Sequence, residues 1–341
     1  MLEFDVPAVE SVRGIPRSEG GRHVLFVTMP DGDPFDLIGP MAVLREANFF
    51  FAASGRPDLS YTFEVVCSVP GTLLEADGFR MQVDRPCYDV TGPVDTVVFQ
   101  AIDLEGKCLL DEAFIDWVRE IAGNTRRMAS ACLGSYVLAE AGLLDGRRAA
   151  SHWSVSRHFR ERYPEVEFDG DPIYIKDGKF YTSAGMTSII DLMMALVEED
   201  FGSELALRVA QGMVMFLRRP ANQSQFSTHL VELQTEDRRL RDVVAHVAQH
   251  PDEDLRVGRL AKLAAMSPRN FARVFTQELG ITPGKFVELS RLEAARRWLE
   301  QTSTSVERIA RACGYGTAAG MRLAFDRTLG VTPREYRNRF S

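Results

Sequence analysis

Cys132 is a residue whose type and position could do nucleophilic chemistry. The segment 128–139 predicts a strand that runs directly into a helix, with Cys132 at the turn between them. A turn of this kind places a side chain at the carboxyl edge of a sheet, beside helix amides that stabilise a thiolate. A buried cysteine that acts as a small apolar residue gives the same pattern, and spacing alone favours that alternative.

Arg269, Asn270 and Arg273 could do chemistry of another kind, the reading of base edges in a DNA major groove. They follow Ser267 and Pro268, a hydroxyl cap and a first-turn proline that together are typical of a helix start. The apolar residues of the same segment recur at helical spacing, so the three polar side chains are expected on its exposed face.

The helix that carries these residues belongs to a pattern that occurs twice, at an offset of about 50 residues. Each copy predicts two short helices around a tight turn, which is a helix-turn-helix unit. A long helix over 283–301 joins the units and could hold them at a fixed separation. In the second unit the matching helix begins near Thr317 and exposes Ala318, Ala319, Arg322 and Arg327. The matched residues are Phe271, Val274, Phe275, Leu279, Gly280, Thr282 and Pro283 in the first copy, and Met321, Ala324, Phe325, Leu329, Gly330, Thr332 and Pro333 in the second.

Strands alternate with helices in the first two thirds of the chain, which predicts a parallel sheet covered on both faces. A polar, proline-containing stretch then lacks periodicity and is typical of a linker. We therefore divide the chain into a leader at 1–21, expected to be flexible, an α/β domain at 22–217, a linker at 218–235 and an all-α domain at 236–341. The predicted strands are 23–28, 63–68, 96–99 and 127–130 with a hairpin over 173–182, and the predicted helices are 39–48, 115–122, 133–141, 187–199 and 203–217.

Charge is distributed unevenly along the chain. From residue 234 onward there are 19 Lys and Arg against 13 Asp and Glu, whereas the preceding residues carry 21 against 35. A basic domain attached to an acidic one suggests a polyanionic partner, although a chance excess of surface arginine is an alternative. The 5 cysteines form no CxxC pair, the leader lacks the apolar core of a signal peptide, and no apolar stretch is long enough to span a bilayer. We expect a cytoplasmic protein without a membrane partner, metal or cofactor.

Residues 240–340 closely resemble the DNA-binding domain of the AraC/XylS family, through the two units and through the segments 305–315 and 330–336. The resemblance implies that both second helices enter successive major grooves of a double-stranded operator, and it makes RNA polymerase a possible partner. Ala318, Ala319 and Leu323 stand where polar residues are usual, so they could touch thymine methyls but make no bidentate base contact. We expect the first unit to read most of the sequence and the second to dock mainly on phosphates, through Arg322 and Arg327. The DNA-facing set is then Arg269, Asn270, Arg273, Thr317, Ala318, Ala319, Arg322 and Arg327. The alternative is a helical bundle that binds no nucleic acid.

Residues 22–215 resemble the PfpI-like branch of the class I glutamine amidotransferase-like fold, a flavodoxin-like, doubly wound parallel sheet. The resemblance is carried by the motif from Asp36 to Pro40, by the Cys132 turn, and by the segments 143–146 and 150–153. It implies dimerisation through this domain and pairs Asp36 with Cys132, as in enzymes such as isocyanide hydratases. The candidate ligand-binding residues are Asp36, Gly39, Ala101, Cys132, Leu133 and His152.

Two departures from the enzyme pattern weaken a catalytic interpretation. Leu133 follows the nucleophile position and can neither donate nor accept a proton, and Ala101 and Ile102 replace a glycine pair that opens an oxyanion site. We therefore expect a transcription regulator whose first domain binds a small effector and dimerises, and in which Asp36 and Cys132 are vestiges of catalysis. The alternative is an active hydratase-like or hydrolase-like enzyme fused to a DNA-binding domain.

Overall fold

The computed structural model describes residues 20–30, 32–76, 78–102, 110–215, 237–329 and 331–340, together with positions 219, 221, 223 and 225. Its contacts divide the chain into two compact units, residues 1–221 and 222–341. Nearly all of the predicted leader and most of the predicted linker lie outside the described residues. No helix among the described residues is long and apolar enough to span a bilayer.

The first unit is built on a central sheet whose described strands follow the order β2-β1-β5-β6-β10-β9. The first five strands of that order run parallel, and β9 is antiparallel to β10. Taken without β9, this is the flavodoxin-like order, so the predicted fold class is confirmed. The strands are Arg22–Thr28 (β1), Tyr61–Cys67 (β2), Thr72–Ala76 (β3), Phe79–Val83 (β4), Thr96–Phe99 (β5), Arg127–Ser130 (β6), Arg148–Ala149 (β7), Glu167–Phe168 (β8), Tyr174–Asp177 (β9) and Phe180–Ser183 (β10).

Helices cover both faces of this sheet because successive strand residues point to opposite sides. Phe26 and Val98 face a core formed with α1, α5 and α6. Val27 and Val97, their neighbours along the strands, face a second core formed with α2, α3 and α4. The helices are Phe35–Ala53 (α1), Glu112–Asn124 (α2), Ser135–Glu140 (α3), Ser156–Arg162 (α4), Thr187–Phe201 (α5) and Ser203–Gly212 (α6).

Several predicted boundaries were wrong in this unit. The helix expected from residue 39 begins at Phe35, whose amide is capped by the Asp33 carboxylate at 2.8 Å. The helix expected over 133–141 is a three-residue 3-10 turn, Cys132–Gly134, followed by α3. The helix predicted to run to residue 217 ends at Gly212. The antiparallel hairpin of β3 and β4, the short strands β7 and β8, and helix α4 were not predicted.

The described part of the second unit is all-α, and four of its helices form two helix-turn-helix pairs, α8 with α9 and α11 with α12. The long helix α10 belongs to both cores, since Phe286 and Leu289 pack with the first pair and Leu292 and Leu299 with the second. The helices are Arg238–Gln249 (α7), Val257–Leu263 (α8), Pro268–Leu279 (α9), Pro283–Gln301 (α10), Val306–Ala312 (α11), Ala318–Leu329 (α12) and Pro333–Phe340 (α13).

Candidate functional site

Cys132 lies at the elbow between β6 and α3, in a conformation that few non-glycine residues adopt. Its φ is 50°, inside the left-handed region. Two glycines allow the neighbouring backbone to approach it. A Cβ at Gly134 would lie 2.4 Å from the carbonyl oxygen of Phe99, and one at Gly185 would lie 2.1 Å from the Cys132 Cβ. The elbow is therefore packed tightly between the end of β5 and the loop after β10.

Asp36 approaches the same elbow from the first turn of α1. The backbone amide of Met186 donates to Asp36 Oδ1 at 3.0 Å, and the amide of Ala101 also hydrogen-bonds to the carboxylate. The side chain is buried, with 1 % of its surface exposed. Burial raises the pKa of Asp36 to about 6, and the nearby charge of Asp33 adds to the rise. The structure thus brings Asp36, Ala101 and Cys132 together at the carboxyl edge of the sheet.

The Cys132 thiol is protonated at neutral pH in this environment. Burial raises its pKa to about 12, the Asp36 charge raises it further, and the Leu133 amide opposes the rise only in part. The amide at the start of the following turn favours the thiolate, as the sequence predicts, but burial and the Asp36 charge outweigh it. The elbow leads into a three-residue 3-10 turn and a six-residue helix, and their dipole is too short to offset burial beside a carboxylate.

Gly39 and His152, two further predicted ligand residues, are placed differently. Gly39 lies at the contact between α1 and α5, where a Cβ would meet the Ile190 side chain at 3.2 Å, so this glycine serves helix packing. His152 hydrogen-bonds through Nδ1 to the Ser154 hydroxyl at 2.7 Å, and burial lowers its pKa. The adjacent Ser151 hydroxyl donates to the Cys132 carbonyl at 2.9 Å, so the loop that carries His152 is attached to the elbow. Among the described residues, no group of three or more His, Cys, Asp or Glu could hold a metal ion.

Gln100 is a buried polar residue that the sequence analysis missed. It follows β5 directly, accepts a hydrogen bond from the Thr28 hydroxyl and donates one to the Asp33 carbonyl. These bonds connect β1, β5 and the loop before α1 at the point where the strand order reverses, which is where ligands of such sheets bind. The signal was available, because an amide side chain directly after a buried strand needs internal partners. Ala101 and Ile102, in place of the glycine pair, are both buried beside it.

Helix α9 presents a hydrogen-bonded row of polar side chains to solvent. The guanidinium of exposed Arg273 donates to Asn270 Oδ1 at 3.0 Å and to Gln277 Oε1 at 2.6 Å. Arg269 is exposed one turn earlier on the same face. The Ser267 hydroxyl caps the helix by accepting from the Asn270 amide. Gln277 was missed, although its spacing of four residues from Arg273 places it on the same face.

Helix α12 repeats this arrangement with other side chains. The Thr317 hydroxyl accepts from the Gly320 amide at 3.1 Å, the cap that Ser267 provides in α9. Ala319 and Arg322 are exposed. Arg327 donates to Glu288 Oε1 of α10 at 2.6 Å, and this ion pair joins α12 to α10. The phosphate contacts of Arg322 and Arg327 stay predictions.

Arg291 of α10 fastens the two helix-turn-helix pairs to each other. Its guanidinium donates to the carbonyl oxygens of Pro251 at 2.8 Å and Glu253 at 3.0 Å, in the loop between α7 and α8. The turn of the second pair packs against the same point, because a Cβ at Gly314 would lie 2.2 Å from the Pro251 oxygen and 2.6 Å from Arg291 Nε. The spacing of α9 and α12 is therefore fixed by direct contacts as well as by α10.

Known proteins share both units. The model of the DJ-1/PfpI family matches residues 22–199, and a helix-turn-helix domain model matches residues 260–339. The HTH-type transcriptional regulator CdhR of Pseudomonas aeruginosa is 30% identical over 92% of this chain and 90% of its own length. The HTH-type transcriptional regulator ArgR of the same organism is 32% identical over 65% of this chain and 67% of its own length. Isonitrile hydratase of Pseudomonas putida is 34% identical over 53% of this chain and 73% of its own length. The chain therefore belongs to the DJ-1/PfpI family and is an AraC-type helix-turn-helix transcriptional regulator.

Proposed function

We propose that this regulator is a cytoplasmic homodimer that binds a small effector beside Asp36 and Cys132 and that effector binding changes its affinity for a DNA operator. The observation that carries the proposal is the meeting of Asp36, Ala101 and Cys132 at the carboxyl edge of a flavodoxin-like sheet. Open α/β sheets bind their ligands at this edge. The first domain provides the dimer contact, and residues 218–235 connect it to the DNA-binding domain.

The chemistry of the elbow favours a sensor over a catalyst. A thiol whose pKa is about 12 supplies almost no thiolate at neutral pH, and thiolate is the nucleophilic form. Leu133 offers no side-chain proton relay. The Gln100 amide, at the point where the strand order reverses, is already hydrogen-bonded to Thr28 and Asp33. The site therefore keeps the polar side chains of Asp36 and Gln100 without an activated nucleophile.

A hydratase-like activity is the second candidate, favoured by the retained pair of Asp36 and Cys132 and by the similarity to isonitrile hydratase. It requires a bound substrate that offsets both the burial and the Asp36 charge, which together raise the thiol pKa. Turnover of a small isonitrile by the full-length protein, lost in both Cys132→Ser and Asp36→Asn, would support this candidate and contradict the sensor.

The proposal is tested in two steps with the full-length protein. A duplex is first selected from a random pool, and metabolites are then screened for those that raise the melting temperature of the first domain. Such a metabolite should change the affinity for the selected duplex. Cys132→Ser should keep the affinity measured without metabolite and alter the response.

Cys87→Ser is the matched control, because Cys87 is a buried thiol of the same domain away from the elbow. The control should respond as the wild type does. A stabilising metabolite that leaves duplex affinity unchanged would contradict the link between the pocket and DNA binding.

A further inference from the structure

We propose that the second helix-turn-helix pair reads thymine through its 5-methyl group, and that Leu323 is the contacting side chain. The inference rests on the proposed DNA binding and specifies what the second recognition helix reads. It concerns α12, whose exposed face differs in chemistry from that of α9.

The internal repeat shows which residue of the first unit corresponds to Leu323. At the offset of 50 residues, Leu323 of α12 corresponds to Arg273 of α9, and Ala319 corresponds to Arg269. The two helices share the same local frame, since Ser267 and Thr317 cap them through equivalent hydrogen bonds. The position that holds a guanidinium in the first unit therefore holds a branched apolar side chain in the second.

Leu323 is a large apolar side chain that α12 leaves exposed. Its side chain is 71% exposed, whereas Met321 and Phe325, which carry the core of α12, are fully buried. Ala319, one turn earlier, is also exposed and offers only a methyl group. An apolar strip thus lies where base edges would lie.

The charges beside Leu323 and Ala319 favour DNA as the partner of this surface. The apolar character of the two side chains favours one base. Arg322 is exposed beside them and can meet a phosphate. Arg327, the residue equivalent to Gln277, is engaged by Glu288 and so is drawn away from a bidentate contact with guanine. The thymine methyl is the apolar group that a major groove presents, and the other base-edge groups there are hydrogen-bond donors or acceptors.

Deoxyuridine substitution tests the proposal, because it removes the methyl group and keeps the hydrogen-bonding edge. The probe is the duplex that the full-length protein selects from a random pool. Thymines of each half-site are replaced separately, and the half whose base preference relaxes in Arg273→Ala is assigned to the first unit. Replacement in the other half should weaken binding about fourfold for each contacted methyl, the value expected for one buried methyl-sized group.

Leu323→Ala should bind the thymine duplex more weakly and lose most of its sensitivity to deoxyuridine, as a double-mutant cycle requires for a direct contact. Leu263→Ala is the matched control, since Leu263 is an exposed leucine of the same unit on α8, outside the recognition helices. It should keep the full effect of deoxyuridine. Leu323→Arg should shift the selected base toward guanine, as Arg273 is expected to do in the first unit.

The outcomes separate the two proposals. A selected duplex whose second half lacks thymine, or binds equally well with deoxyuridine, would overturn the assignment of Leu323 while DNA binding stands. An undiminished effect of deoxyuridine in Leu323→Ala would do the same. Failure to select any duplex would contradict the proposed DNA binding itself, and this inference with it.

Discussion

Asp36 shows how one carboxyl group can make the stability of the first domain depend on pH. Its pKa is raised from 3.8 to about 6 in the folded protein. Between these values the folded state keeps a proton that the unfolded state has lost, so the free energy of unfolding falls as pH rises and stays lowered above about pH 6. Asp36→Asn removes the titrating group, so its free energy of unfolding should lack this fall with pH. The effect of the substitution on stability should therefore be more favourable at pH 8 than near pH 4, by up to about 3 kcal/mol.

Urea unfolding of the first domain in the full-length protein, at pH 4 and at pH 8, measures this difference. Asp116→Asn is the control, because Asp116 is an exposed carboxylate in a surface ion pair on α2. Its effect should differ little between the two pH values. Equal stabilities of wild type and Asp36→Asn at both pH values would mean that the carboxyl is not desolvated.

Arg269 and Arg273 belong to the same scale, since each is expected to act through its own guanidinium. Replacement of either by Ala should cost about 1–3 kcal/mol in affinity for the selected duplex, with the larger loss for a residue that bonds a guanine edge. Arg157→Ala is the control, because Arg157 is an exposed arginine of the first domain. Unchanged affinity in both α9 variants would remove α9 from the interface.

Sequence patterns identified the reactive residue types at the elbow but not their state. A strand that runs into a helix locates Cys132, yet the thiol pKa depends on burial and on Asp36, which is about 100 residues away in the chain. The pairing of Arg327 with Glu288 was also missed, because it depends on which exposed side chains of two different helices meet. Such contacts are set by packing and cannot be derived from residue spacing.

Among the secondary-structure elements, the turn of the second helix-turn-helix pair offers a clean comparison. Gly314 and Gly316 both have positive φ, 75° and 71°. A Cβ at Gly314 would collide with Pro251 and Arg291, whereas nothing lies within 4 Å of one at Gly316. Gly316→Ala should therefore cost only the left-handed backbone strain, about 1 kcal/mol. Gly314→Ala should cost at least about twice that, because the contact of this turn with Pro251 and Arg291, the Arg291 junction, must also shift.

The same two variants separate backbone strain from the spacing of the recognition helices. Duplex affinity should fall in Gly314→Ala beyond what its lower stability explains, and it should stay near the wild-type value in Gly316→Ala. Thermal unfolding and duplex titration measure both effects. Similar losses in the two variants would show that the Arg291 junction does not set the spacing.

Elements were predictable where one signal dominated. The strand at 96–99 ends in the apolar run Val97 to Phe99, and α10 has a Thr282 cap followed by Pro283, so their bounds agree with the structure. The hairpin of β3 and β4 was missed because apolar Leu73 and Phe79 are exposed and blur the alternation of a half-buried strand. The start of α1 was misplaced because Asp33 caps it from outside the expected helix.

For the whole molecule, the division of labour between the two units is the testable property. Among the described residues, the two cores of the second unit consist of side chains between Leu240 and Tyr336. A fragment of residues 235–341 should therefore fold alone, remain monomeric and bind one site. Full-length protein should bind a duplex with two sites about a hundredfold or more tightly than the fragment does, through the linked second binding event.

Sedimentation and duplex titration of both proteins check this expectation. A single-site duplex is the control, on which the fragment and the full-length protein should differ little. A fragment that dimerises as tightly as the full-length protein would place the dimer contact in the DNA-binding unit instead.

The Arg291 junction has a consequence that would be visible in the operator alone. Helix α10 spans 19 residues, about 28 Å, and with the junction it sets one distance between the reading helices. DNA completes a turn in about 34–36 Å, so the two half-sites of one subunit must stay in phase with that pitch. An insertion of about five base pairs between the half-sites turns the second half-site to the far side of the duplex. An insertion of about ten base pairs returns it to the same side but moves it farther away than α12 can reach. The fixed separation of α9 and α12 thus allows one spacing of the two half-sites. The base pairs between the half-sites, which the protein does not contact, affect its affinity through how readily they twist.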